Sequence, residues 1–430
     1  MPIDKNGNEI PQSTHNLVGY RESLQLFYSP NHELIKSITI KDEGLKVVKT
    51  VTHYYYDAFG RRIGKSSSTQ KSSKLNQRGQ LVRFPSNLSS LNTTDRPQRK
   101  NTLMLWDGNR QIQEYTDEQI FTTVYEQGSF EPVARVVQLS ESLEKQRIDE
   151  KILYVEQHVP YGIINQDFYD NIEKAKVPLV QIYHYHCNHL GTPQELSDEK
   201  GDIVWLSYDW AWGGSFDTIY KQQFIDNFAI TESELQPIKF QGQSLDTETG
   251  LHYNRFRYYD SDVGMFISRD PIGLLGGSNV FQYAPNPVMW IDPWGLNRFT
   301  KTTWQAPKRG TNQNYTVFQQ PIDWDMVDDK GRTNLQRTAR GRAPLGSDGL
   351  PLNLHHSNQD SRGALFEVTE STHRKYGYTN ALHPYKVDGT GQHPHFSVDR
   401  DAFDKDREKY WRERGKAERK RRRAAAKGKC

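Results

Sequence analysis

The chain has 430 residues, a formal net charge of +3, 35% apolar residues and 12% aromatic residues, 23 of them Tyr. That length predicts two to four domains, and the aromatic content argues against wholesale disorder. No stretch approaches the roughly 18 apolar residues of a membrane helix, and two cysteines, Cys187 and Cys430, cannot build a disulfide framework or a four-thiolate zinc site.

The opening MPIDKNGNEIPQ has neither the basic nor the apolar region of a cleaved signal peptide. The expectation is a chain cytoplasmic in its producer and exported by a separate machine. Residues 1–296 read as strands. Runs such as Leu45–Tyr56 (LKVVKTVTHYYY) end in turn signals, Asp57-Ala58-Phe59-Gly60 and Asp107-Gly108-Asn109 among them. Ser66–Arg99 is rich in Ser, Asn, Gln and Lys and reads as a long loop or irregular insertion. Gln223–Gln236 is the most helix-like stretch of this part. Tyr56–Ile63 (YDAFGRRI) has an echo in Tyr259–Phe266 (YDSDVGMF), which suggests stacked strand-turn-strand repeats.

Tyr56–Ile63 resembles a YD repeat of the Rhs family. His186–Pro193 (HCNHLGTP), Phe240–Gln243 (FQGQ), Thr249–Asp260 (TGLHYNRFRYYD), Arg269–Leu274 (RDPIGL) and Asp292–Leu296 (DPWGL) resemble successive parts of the Rhs-associated core. The resemblance covers about Tyr183–Leu296. It implies a β shell wound from YD repeats around a variable C-terminal toxin, delivered through an upstream module that is missing here into the cytoplasm of a target cell. It also implies self-cleavage between Leu296 and Asn297; the expected catalytic pair is Asp270 and Asp292, with Arg269 as the candidate electrostatic helper. Two carboxylates brought together share a proton, as aspartic proteases require. Asp-Pro turns alone are ordinary turn chemistry, and that reading stays open.

From Asn297 onward the chain carries 27 Lys and Arg against 16 Asp and Glu, a net of +11, whereas the part before it nets −8. A basic last third points to a nucleic-acid partner. Six His occur there: His355, His356, His373, His383, His393 and His395. Asp348-Gly349 is a hairpin turn signal. The strand leaving it carries Leu352, Leu354, His355 and His356, and neighbouring strand residues point to opposite faces. Ala364–Val368 reads as a second strand. Thr369–Ser371 reads as a helix cap with His373 in the first turn, and His383 returns ten residues later. Three imidazoles with an open position suit Zn or Ni. Mg and Mn also serve phosphodiester hydrolysis, so the metal stays open.

These residues resemble the HNH/endonuclease VII superfamily, in its toxin branch with a Leu-His-His motif, here Leu354-His355-His356. The resemblance spans about Thr333–Arg414. It implies His355 as a metal ligand completed by His373 and His383, and His356 as general base. Asn380 is the candidate middle Asn, and Glu367 an acidic supporting group. The tail, with Arg412, Arg414, Lys420, Arg421, Arg422 and Arg423, reads as a phosphate-binding extension of the last helix or as a solvated tail.

The expected architecture is multidomain. A mainly β YD-repeat shell segment (1–182) leads into an Rhs-associated core (183–296) and a small α+β nuclease of ββα-metal type (297–430). The expected function is metal-dependent nucleic-acid cleavage, DNA before RNA, in interbacterial competition, with an immunity protein protecting the producer. Two alternatives remain: an encapsulating shell fragment with an inactive toxin, and a metal-independent RNase.

Overall fold

The structure is a computed structural model that describes residues 13–16, 22–43, 46–73, 92–93, 96–127, 129–158, 166–273, 279–296, 299–378, 383, 385 and 392–427. Among these, a 14-stranded antiparallel sheet runs from Ser13–Asn16 to Ser215–Tyr220. Its neighbours follow chain order almost throughout, the two-residue strand Asn92–Thr93 lying off the path. Sequential neighbours joined by short turns are what a repeat architecture delivers, since each strand buries its face only against the next. The apolar positions alternate in the early strands. Leu24, Leu26 and Leu34 face inward with Tyr54, and further on Phe121, Val137, Tyr183 and Tyr185 gather with Trp205.

The YD turn has a simple construction. Asp57 Oδ1 accepts hydrogen bonds from the Phe59 and Arg61 amides, both at 2.9 Å, and Gly60 closes the turn at φ +68°. A Cβ is strained at such a φ, which is why the position takes Gly. Asp198 caps its turn in the same way, accepting from the Lys200 and Asp202 amides, both at 2.9 Å. Asn188 does so for Leu190 and Thr192 at 2.9 and 3.2 Å. The echo at Tyr259–Phe266 is one residue longer: Asp260 caps Asp262 and Val263, and Gly264 takes the positive φ.

Three local expectations change. Ser66–Ser73 is no loop. It continues the strand Arg62–Ser73, which pairs on one side with Lys46–Tyr56, through Ser and Thr rungs such as Thr52–Ser67 at 3.0 Å, and on the other with Gln98–Asp107; residues 74–91 and 94–95 lie outside the described set. Gln223–Gln236 is a small hairpin, Gln223–Ile225 with Phe228–Ile230, followed by one helical turn at Glu232–Leu235. Its Ile225, Ile230 and Leu235 drop into the shell core, and that burial overrides helix propensity. The long helices of this part are Glu141–His158 and Gln166–Lys176, inserted between the paired strands Pro132–Leu139 and Val180–Cys187. The expected boundary at 182/183 falls inside that last strand, so it marks an edge of sequence resemblance, not a break in the sheet.

A smaller sheet, Ser244–Asp246, Leu251–Asn254, Arg257–Asp260 and Met265–Phe266, packs its tyrosines on Leu24, Leu26 and Tyr54. Buried Asp246 anchors it. Burial would push its carboxyl up, but Lys65 and Arg62 outweigh that and hold it well below the usual range.

The last part holds a four-stranded sheet in the order Thr300–Gln305, Asn314–Gln319, Leu365–Val368, Asn353–His356, with its two middle strands parallel. One face packs Trp304, Tyr315, Leu354 and Leu365 against Phe403, Tyr410 and Trp411 of the closing helix Arg400–Lys427. The other packs Phe299, Phe318 and Phe366 against Phe130, Ile291, Trp294 and Leu296, so a single apolar cluster crosses the 296/297 junction. Trp294 and Phe366 ring centroids lie 4.5 Å apart. Among the described residues no helix is long and apolar enough to cross a membrane.

Candidate metal centre and chain junction

The Asp348-Gly349 turn forms as the sequence suggests, with the Gly346 amide bonded to the Leu350 carbonyl. Asp348 does a second job. Its Oδ2 accepts from the amide and hydroxyl of Ser371 at 2.8 and 2.7 Å, tying the hairpin to the start of the helix Glu370–Tyr378. Thr369 caps that helix through the Thr372 amide at 3.3 Å. The strand Asn353–His356 is thereby fixed against the helix that carries His373.

Alternation along this strand separates its two His. His355 turns toward His373 and His383, with ring centroids 5.3 and 5.1 Å away, and those two lie 4.7 Å from each other. One ring nitrogen from each comes within 4.8 Å of the others. Burial and Arg400 lower the His373 pKa against the opposing pull of Glu370, so its imidazole is neutral and has a lone pair to give. Three converging imidazoles are a donor set that fits a borderline divalent ion. Glu370 accepts from Asn353 Nδ2 and from Arg374 Nε, which steadies the helix start beside His373.

His356 turns to the other face. Phe403 lies 4.2 Å from its ring and Tyr315 5.7 Å. Burial, with Arg400 adding to it and Asp360 opposing, pushes its pKa down to about 3. Its Nε2 is buried and lacks a hydrogen-bond partner among the described residues. Native proteins rarely leave such an atom unpaired, because desolvating it costs about 1–3 kcal/mol. The loop after His356 lies close to the large sheet. A polar cavity of about 200 Å³ opens there between Asp107, Arg110 and Tyr125 on one side and Asp360, Arg362 and His393 on the other. His393 is a loop residue whose Nδ1 accepts from the His395 and Phe396 amides.

Several expected site residues sit elsewhere. Glu367 does not face the metal ligands: it is fully buried under the closing helix, accepting from the Gln320 amide at 2.9 Å, the Tyr410 hydroxyl and Arg414 Nε at 2.9 Å. Arg414 is consequently consumed in a buried ion pair and is no phosphate contact. A charge run read from sequence does not reveal which of its members faces the sheet. Arg412 pairs with Glu408, Arg421 with Glu418, and Arg422 with both Glu418 and Asp325. Lys420 and Arg423 are exposed on the same helix, which continues to Lys427 and so excludes the solvated-coil reading for the described part of the tail. Asn380 lies outside the described residues.

At the junction, Asp270 and Asp292 are both buried and converge on one cation. That cation is Arg257, not Arg269, which is exposed. Arg257 Nη2 stands 3.1 Å from Asp270 Oδ2 and 3.3 Å from Asp292 Oδ2. Each carboxylate uses its other oxygen as a turn cap: Asp270 Oδ1 accepts from the Ile272 amide at 3.0 Å and Asp292 Oδ1 from the Leu296 amide at 2.9 Å. The sequence signal for Arg257 was its place in the segment Thr249–Asp260, but thirteen residues of separation hid the contact.

Comparison with known proteins finds matches in both parts of the chain. Residues 333–417 match the model of a nuclease of the HNH/ENDO VII superfamily with conserved LHH, and residues 182–216 match that of the RHS protein. The chain is 34% identical over 262 residues to double-stranded DNA deaminase toxin A of Burkholderia cenocepacia, covering 60% of this chain and 15% of that protein. It is 31% identical over 283 residues to toxin protein Tse5 of Pseudomonas aeruginosa, covering 64% and 17%. It is 40% identical over 106 residues to the probable deoxyribonuclease RhsA of Dickeya dadantii, covering 25% and 7%. The chain therefore spans less than a fifth of the length of these relatives.

Proposed function

We infer from its place among the Rhs toxins, here ending in an LHH nuclease of the HNH/ENDO VII superfamily, that this chain hydrolyses DNA phosphodiester bonds with a divalent ion held by His355, His373 and His383. The observation that carries the reading is the convergence of these three imidazoles at one end of a hairpin, with His356 on the neighbouring position. A divalent ion, when bound, polarises the scissile phosphate and stabilises the leaving oxygen. His356 supplies the base. Its neutral Nε2 takes a proton from the attacking water, and its buried setting keeps the ring unprotonated near neutrality. In the arrangement described here Nε2 has no exposed surface and the Phe403 ring packs on the imidazole, so substrate reaches it only after the groups covering it move aside. Lys420 and Arg423 offer phosphate contacts without sequence readout.

The wider role follows the relatives' names. The chain acts as a toxin in competition between bacteria, is delivered through an upstream module into the target cytoplasm, and is neutralised in the producer by an immunity protein. An acidic immunity surface suits the basic nuclease part. The test is plasmid nicking by the full chain with Mg, Mn, Ni or Zn, with chelator, and with His356→Ala. Metal-dependent nicking lost in both controls is expected. RNA cleavage that survives chelator would replace this reading with the metal-independent RNase, and intact DNA and RNA under every metal with the inert shell fragment.

A second activity is proposed for the junction: hydrolysis of the Leu296–Asn297 peptide by the Asp270–Asp292 pair. It is supported by the meeting of both carboxylates beside the Leu296 amide. The same reading divides the chain at 296/297 into shell and toxin. A denaturing gel checks it: the full chain should give fragments 1–296 and 297–430, and Asp292→Asn should abolish them.

A further inference from the structure

His355 and His373 sit on a strand and a helix, but His383 belongs to neither kind of element. Its place depends on what holds the chain around it. The turn that joins the two strands of the His hairpin, Ser357–Gly363, is drawn tight. The Ser357 amide donates to the Ala364 carbonyl at 2.8 Å and the Gly363 amide to the Asp360 carbonyl at 2.9 Å. A Cβ at Gly363 would lie 2.7 Å from the Ser357 carbonyl oxygen, so the turn closes too closely for a side chain there. Within this turn Gln359 is buried and stands at φ +56°. A residue with a Cβ is strained at such a φ, and Gly or Asn is its ordinary occupant. Such strain persists only where surrounding contacts hold it. One contact that holds it is Gln359 Oε1, which accepts from the Tyr385 amide at 3.2 Å. Tyr385 is two residues beyond His383. Its ring meets His393 with centroids 4.9 Å apart, and the Ser361 amide ties the same turn to the Phe396 carbonyl at 2.9 Å.

We propose that Gln359 is a positioning residue of the metal centre: through the Tyr385 amide it fixes the segment that delivers His383 and so completes the set of three imidazoles. This rests on the metal reading above. A ligand that must be ordered on binding lowers affinity by the cost of ordering it, whereas one already in place does not. The turn starts at the residue after His356, so one side chain links the strand of both His to the third ligand. The residue type suits the task. Gly would relieve the φ but offers no acceptor. Asn tolerates the φ but is one methylene short. Glu keeps both the reach and the acceptor oxygen. Gln359 acts on affinity through the backbone beside a ligand and is not itself counted among the ligands.

The test is metal binding by the full chain without nucleic acid. Calorimetry with Zn and Ni and the visible absorption of bound Co are read beside thermal melts in chelator. Gln359→Gly should bind each ion about ten- to a hundredfold more weakly, the scale of a lost group standing behind a metal ligand, and should alter the Co spectrum. It should melt in chelator within a few degrees of the parent, because the strained φ is relieved as the contact is lost. Gln359→Glu should restore both affinity and spectrum. A loss in Gln359→Glu as deep as in Gln359→Gly would trace the effect to packing and overturns the proposal. If Gln359→Gly fails to fold, Gln359→Asn decides, and parental affinity and spectrum in it overturn the proposal. Parental binding in Gln359→Gly, with His383→Ala weakened, overturns the role of Gln359 and leaves the three-imidazole centre standing. A parent chain that binds none of these ions, or His383→Ala that binds as the parent does, removes the metal reading and the proposal with it.

Discussion

The two buried polar sites of this chain are built on opposite principles. At the junction every charge is met: two carboxylates, one guanidinium, and turn amides on the spare oxygens. At the His centre three imidazoles crowd together, with a ring nitrogen of each within 4.8 Å of the others, and the Nε2 of His356 on the opposite face has no hydrogen-bond partner among the described residues. Under the proposed functions, the junction would need only water, whereas the His centre would need an ion and a phosphate from outside. A satisfied network holds a geometry; an unsatisfied one holds an affinity.

Predictions that would break this contrast can be ordered by size. His356→Ala should lower DNA cleavage by about two to four orders of magnitude, the worth of a positioned base, while leaving metal binding intact by calorimetry. A variant that keeps full activity would make His356 a packing residue beside Phe403. Acid should destabilise the fold through two buried imidazoles. His252 and His356 are each pushed down to about 3 by burial, with neighbouring cations (Lys239 and Arg400) adding to the shift and Asp360 opposing it at His356. Unfolding frees both to titrate near 6.5, so the unfolded state binds more protons between about pH 6.5 and 3, and stability falls as pH drops through that window by a few kcal/mol per group. Thermal melts against pH should show it, and His252→Gln should flatten it; an unchanged slope would mean that His252 is not buried in solution.

Metal should stabilise the chain by about 2.7 kcal/mol at a hundredfold excess over its dissociation constant. The melting shift should vanish in His373→Ala but persist in His393→Ala. Replacing Lys420 and Arg423 together by Ala should lower the salt slope of DNA binding by somewhat under two, about 0.9 per phosphate contact, whereas Arg414→Ala should instead lower the melting point by stranding Glu367. The smallest effect concerns Cys187: burial, with Glu131 adding and Lys301 opposing, pushes its thiol up to about 12, so iodoacetamide at pH 8 should leave it largely unmodified in the folded chain.

Much of the His centre was legible in sequence because it is local. An Asp-Gly turn, a period of two along the strand and a Thr cap fix where His355, His356 and His373 go, and those signals lie within 26 residues of one another. Long-range choices were not legible. Arg269 adjoins Asp270 in sequence, but its side chain points to solvent, while Arg257 crosses from a neighbouring strand. Arg414 looks like its basic neighbours until the fold sets Glu367 beneath it. The helix Glu141–His158 carries few apolar residues and buries chiefly Arg147, which pairs with Glu144 and donates to the Val177 carbonyl, so its pattern gave little to read. At Gln223–Gln236 three buried apolar residues decided against the helix that local composition favoured.

The aromatic cluster that crosses the junction changes what a cut there accomplishes. Breaking one peptide bond leaves Trp294, Phe299, Phe318 and Phe366 in the same contacts. What vanishes is the tether. Before scission the two parts meet at the effective concentration of an intramolecular pair, millimolar for a short link; afterwards they meet at whatever concentration the surroundings provide. Under the proposed self-cleavage, scission would therefore not by itself eject the C-terminal part. It would turn a fixed arrangement into one sensitive to dilution, and the proposed transfer from a producer into a second cell would impose that dilution.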